Sequence, residues 1–151
     1  MDISFMGISF EFFPPSSDKA EAKLWESIKV LEPLNPNFVS VTYGAGGTTR
    51  DRTHNCVKKI IKETNLEPAA HLTCVNSTKD EIKKITDKYK KIGVKHIVAV
   101  RGDMPNFANF EPHPKGYKSS VDLVKNLSEQ EFSVTVSAYP EKHPDALSFD
   151  Q

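Results

Sequence analysis

Five short stretches of the chain alternate hydrophobic and polar side chains with the period of two expected of strands: Ile8 to Phe13, Phe38 to Tyr43, Ala69 to Val75, His96 to Gly102 and Phe132 to Tyr139. Between them the apolar positions change to helical spacing. Ala20, Leu24, Ile28 and Leu31 fall on one helix face, as do Val57, Ile60 and Ile61, then Ile82, Ile85, Tyr89 and Ile92, then Val121, Val124 and Leu127. Thr78 followed by Glu81 has the form of a capping box, Gly93 is placed to end that third helix, and Thr48 with Asp51 marks a similar start for the second. Strand and helix thus alternate roughly every 30 residues, the pattern of βαβ units and a parallel sheet.

The faces of the strands narrow the architecture. One parity carries Ser9, Glu11, Ser40, Thr42, His71, Thr73, Arg101, Asp103, Ser133, Thr135, Ser137 and Tyr139; the other carries Ile8, Phe10, Val39, Val41, Leu72, Val98, Val100, Val134 and Val136. An open sheet covered by helices on both faces reads as nearly continuous apolar runs. A barrel with helices outside and a lumen inside gives this alternation instead, so the expectation is an α/β fold of the (β/α)8 TIM-barrel type rather than a flavodoxin-like sheet. A closed barrel needs eight units and about 250 residues. Residues 1–151 therefore read as one domain part, about the first five βα units.

Composition changes this picture little. The 151 residues are 38% hydrophobic and 26% charged, with 20 basic and 20 acidic side chains, so no positive field draws nucleic acid or an anionic membrane. The start, MDISFMGISFEFFPP, lacks the layout of a signal peptide and no run is long enough for a membrane span, which places the expected protein in the cytoplasm. Cys56 and Cys74 have neither metal-ligand spacing nor a disulfide framework and read as reduced packing residues.

Strand ends at the C-terminal side of such a barrel carry the chemistry. Glu11, within FEFFPP, is expected to be poorly solvated among Phe10, Phe12 and Phe13, as a general acid near neutral pH requires; a plain ion pair is the alternative. The fourth strand ends in RGD, where Gly102 lets a planar ligand approach the backbone between Arg101 and Asp103, unless those two simply pair. TYGAGGTTRDRT joins a Gly-rich turn to Arg50 and Arg52, which together can hold an anionic group or merely turn the chain. His71 points inward, His143 follows Tyr139, and His54, His96 and His113 look incidental, so no metal site is expected.

Together, SFEFFPP, FVSVTYGAGGTTRDRTH, AAHLTCV, HIVAVRGD and VSAYPEKHP, in this order and spacing, resemble the methylenetetrahydrofolate reductase family across nearly the whole chain. The resemblance implies a flavin-containing barrel that passes hydride from NADH or NADPH to FAD and then to the methylene carbon of 5,10-methylenetetrahydrofolate. It makes Glu11 the general acid that helps open the folate ring, and Asp103 the carboxylate near flavin and pterin. The FAD contacts it implies are Thr42, Tyr43, Ala45, His71, Arg101, Gly102, Asp103, Tyr117, Tyr139, His143 and Ala146. A small-molecule folate substrate and a homo-oligomer follow as expectations. The competing readings are a non-catalytic half-barrel module that covers its sheet edge with a second copy, and a metal-dependent barrel hydrolase.

Overall fold

A computed structural model describes residues 7–44, 50–103 and 111–142. Five strands, β1 (Ser9–Phe12), β2 (Phe38–Val41), β3 (Pro68–Thr73), β4 (His96–Val100) and β5 (Ser133–Val136), alternate with α1 (Asp18–Leu31), α2 (Arg50–Glu63), α3 (Lys79–Lys91) and α4 (Ser120–Glu129). All strand pairs are parallel, and the sheet order is β1-β2-β3-β4-β5. A flavodoxin-like sheet would reverse direction at a switch point and place its first strand inside the sheet. Sequential order without reversal is the barrel arrangement, and the described residues contribute five of its strands and four of the intervening α-helices.

Local chemistry sets the helix boundaries. Ser17 caps α1, its side chain accepting from the Ala20 amide at 3.2 Å, while Asp18 and Glu21 in the first turn favour the positive end of the helix dipole. Thr78 and Glu81 form the complete capping box: the Glu81 carboxylate accepts from the Thr78 amide at 2.8 Å and the Thr78 hydroxyl accepts from the Glu81 amide at 3.2 Å. Gly93, at φ +89°, ends the same helix, with its amide bonded to the Lys90 carbonyl and that of Val94 to the Tyr89 carbonyl. Ser119 caps α4 in the manner of Ser17. Residue 48, where a cap for α2 was expected, lies outside the described residues.

Register determines what faces what. Phe12, Val41, Ala70, Ile97 and Val134 stand side by side across the sheet, and this face packs against Ile28 of α1, Val57 and Ile60 of α2, Ile82 and Tyr89 of α3, and Leu123 and Leu127 of α4. Ile28, Val57, Ile60, Ile82, Leu123 and Leu127 are fully buried, each contributing about 1.5–3 kcal/mol over an exposed state. The opposite face carries Glu11, Ser40, Ala69, His96 and Ser133 in one row, and His71, Val98 and Thr135 in the next.

One expected facing is corrected. Val98 and Val100 lie beside His71 and Thr73 on the lumen side, while Ile97 and Ala99 turn to the helices. Alternation from the polar end of the fourth strand puts Arg101 and Asp103 on the lumen parity; the ladder puts Val98 and Val100 there instead. Branched side chains such as Val98 and Val100 are what fill the interior layers of a barrel. Both cysteines are free and buried, and burial pushes both thiols up, that of Cys56 to about 11. Among the described residues, no helix is long and apolar enough to cross a membrane.

Candidate functional site

The lumen face is where polar groups gather. From β1, Glu11 reaches across β2 toward β3, so that its Oε2 lies 3.2 Å from His71 Nε2 and accepts a long hydrogen bond of 3.4 Å from the Ser40 hydroxyl. The imidazole nitrogen sits within ion-pair distance but off the hydrogen-bond direction, which leaves it buried without a hydrogen-bond partner. Burial lowers the His71 pKa against the smaller opposing pull of the Glu11 charge, so the neutral ring is favoured. Glu11 itself is 54% exposed. The expected apolar cage is not there: Phe10 and Phe12 belong to the helix-side face and Phe13 is exposed.

Higher along β3, Thr73 is buried and its hydroxyl has no partner. Beside it Gly102 adopts φ +83°, and a Cβ there would stand 2.5 Å from Val75 Cγ1 and 3.0 Å from Thr73 Cβ. The chain therefore needs glycine at this position for two separate reasons. The Arg101 carbonyl accepts from the Val75 amide at 3.0 Å and from the Cys74 thiol at 3.6 Å, which ties the end of β4 to the end of β3. Asp103, next in the chain, is exposed. Thr42 is held at the end of β2 through its amide to the Phe12 carbonyl and its own carbonyl to the Thr53 hydroxyl.

Other expected contacts sit elsewhere. The Tyr43 side chain follows the parity of Val39 and Val41 into the helix layer, where burial raises its pKa to about 12 and Arg50 is its nearest charge. Only its backbone is left at the strand end to meet a ligand. Tyr117 is likewise packed into the core, under the Lys79 ammonium at 5.4 Å from the ring. Tyr139 is 55% exposed beyond β5. Ala45, His143 and Ala146 lie outside the described residues.

His96, set aside as incidental in the sequence, belongs to this face. Its Nε2 is 2.8 Å from Thr135 Oγ1, its ring meets Phe38 edge to face at 4.6 Å, and burial lowers its pKa. The signal was available: His96 stands at even spacing from Val98, in register with Ala69, two residues before His71.

Two buried polar atoms without partners, His71 Nε2 and Thr73 Oγ1, thus lie along β3, with Gly102 packed tightly beside Thr73. Such a pair suits the polar edge of a planar heterocycle. A family model described as Methylenetetrahydrofolate reductase matches residues 3–151. The chain belongs to the methylenetetrahydrofolate reductase family. It is 48% identical over 144 residues to the 5,10-methylenetetrahydrofolate reductase of Salmonella typhimurium, covering 95% of this chain and 47% of that protein. It is 49% identical over 144 residues to the protein of the same name from Escherichia coli, with the same coverage. A maize relative named Methylenetetrahydrofolate reductase (NADH) 1 is 33% identical over 143 residues, 92% of this chain and 24% of its own length. The chain spans about half the length of the bacterial relatives. Within the methylenetetrahydrofolate reductase family, then, these residues supply part of the barrel.

Proposed function

We propose that this chain forms part of a flavin-dependent methylenetetrahydrofolate reductase that reduces 5,10-methylenetetrahydrofolate to 5-methyltetrahydrofolate with NADH or NADPH. Membership of the family supports the reaction, and the name of the maize relative, with its NADH, supports a nicotinamide donor. The observation that carries the residue roles is the contact between Glu11 and His71 on the lumen face. Bound FAD would supply the hydride relay between the nicotinamide and the folate.

Within this reading Glu11 is the proton donor to a folate nitrogen, which helps the five-membered ring open to the electrophilic iminium. His71, neutral because burial disfavours its charge, lies 3.2 Å from that carboxyl group and would bound the space in which it moves. Ser40 donates to the same carboxylate oxygen and limits its rotation. Thr73, Gly102 and the backbone of Thr42 and Tyr43 would form the wall against which the flavin lies, and Asp103 would place a negative charge near its edge.

The test separates the two half-reactions. In the full-length protein, Glu11→Gln is expected to slow folate reduction by about 10² to 10⁴ while leaving nicotinamide oxidation by the flavin near the wild-type rate. Stopped-flow absorbance of the flavin reads both. Equal slowing of the two would remove Glu11 from the role of folate proton donor.

A further inference from the structure

On the outside of the helix layer, α2 and α3 do not close against each other along their length, and a cleft of about 470 Å³ separates them. That volume falls in the range of about 300–1,000 Å³ found for small-molecule sites. Its inner wall is aromatic and aliphatic: His54 of α2 stacks on Tyr89 of α3 with ring centres 5.9 Å apart and planes inclined by 29°, and Ile85 and Ile92 extend the surface. An apolar slot lined in this way accepts a ring system against its wall.

The polar groups of the cleft are unbalanced. Arg50, Lys84, Lys88 and Lys91 face two carboxylates, Asp51 and Glu81. Glu81 is already engaged, its carboxylate accepting from the Thr78 amide and hydroxyl at 2.8 and 2.9 Å. Arg50 donates from Nη2 to the Ser77 hydroxyl at 2.9 Å and acts on the Tyr43 phenol, while its Nε is buried without an acceptor in hydrogen-bond geometry. Tyr89 is 1% exposed and its phenol has no partner either. A buried guanidinium donor without an acceptor is costly to leave unmade, and a negatively charged oxygen is its strongest partner.

We propose that the α2–α3 cleft is a binding site for a small aromatic carboxylate, its ring against His54, Ile85 and Ile92 and its anionic end toward Arg50 and the lysines. The site is separate from the lumen: Arg50 and Tyr89 lie on the helix side of the sheet, whereas Glu11, His71 and Thr73 face away from it. The inference does not depend on the folate reading.

The experiment uses the full-length protein, 2-naphthoate as ligand and 2-naphthalenemethanol as its neutral counterpart, with calorimetric titration. One molecule of 2-naphthoate is expected to bind per chain, and the alcohol at least roughly tenfold more weakly, about 1.4 kcal/mol. Lys84→Glu/Lys88→Glu reverses two exposed charges without touching the core and is expected to weaken 2-naphthoate by tenfold or more. Ile85→Trp fills the slot and is expected to abolish binding. Far-UV circular dichroism and an unchanged urea midpoint show that each variant is folded. Failure of 2-naphthoate to bind at millimolar concentration overturns the proposal. So do equal binding of the neutral alcohol, equal binding by the charge-reversed variant, and displacement of 2-naphthoate by folate, which would put the ligand in the lumen.

Discussion

Replacing Gly102 with alanine tests the end of β4 more stringently than any charge change. Two costs add. The backbone at φ +83° puts an L-residue in the left-handed region, a penalty of about 1–2 kcal/mol. The new methyl group would then stand 2.5 Å from Val75 Cγ1 and 3.0 Å from Thr73 Cβ, inside van der Waals contact, and forcing a methyl into packed surroundings costs about 1–3 kcal/mol more. Gly93 provides the control, because it shares the positive φ of +89° but a Cβ there meets nothing within 4 Å. Gly93→Ala should therefore cost only the backbone part. Urea denaturation of both variants gives the comparison, with Gly102→Ala expected about 1–3 kcal/mol worse than Gly93→Ala. Equal losses would refute the steric contact with Val75, and no loss in either would refute the left-handed conformations themselves. If the strand end relieves the clash by moving, Asp103 moves with it, so under the proposed flavin-binding reading flavin retention should fall in Gly102→Ala and not in Gly93→Ala.

Three further outcomes follow from the buried titratable groups and the cap of α3. Burial lowers the His96 pKa below its ordinary 6.5, so the unfolded chain takes up the proton first as pH falls; stability is full above about 6.5 and declines toward the folded pKa. His96→Gln should flatten this decline in urea titrations between pH 7 and 5, only in part because His71 shifts the same way; an unchanged slope would contradict it. Cys56 and Cys74 are buried with raised thiol pKa values, so a disulfide-exchange reagent at neutral pH should label them slowly in the native protein and rapidly in denaturant. Thr78→Ala removes the capping box of α3 and should cost about 1 kcal/mol in the same denaturation assay, with Thr78→Ser close to neutral.

Much of the fold is legible because its determinants are local. The Thr78 and Glu81 pair and Gly93 announce the limits of α3, and the period of two places Glu11 and His71 on one face before any strand pairing is known. What failed depended on pairing across strands. Whether Val98 or Arg101 shares a face with His71 is decided by the ladder between β3 and β4, and a one-residue slip in counting exchanges the two faces. His96 escaped notice for the same reason, since its polar partner Thr135 is supplied by another strand. Tyr43 and Tyr117 show another limit: an aromatic ring with a polar tip suits both a ligand pocket and a helix-packed core, and burial places these two in the latter.

The sequential strand order bears on how the chain folds. Partners such as Ser9 and Phe38, Ser40 and Ala69, Ala69 and His96 are each roughly 30 residues apart, which by loop-closure entropy costs roughly 3 kcal/mol per crossover. The longer span from His96 to Ser133 adds only a few tenths of a kcal/mol to this. No pairing is thus entropically favoured over its neighbours, and the order of assembly falls to the strength of the intervening helices. With its complete capping box, acids in its first turn and lysines in its last, α3 is the best equipped to form early, so β3 and β4 would be the first strands to meet and the sheet would grow outward from its middle.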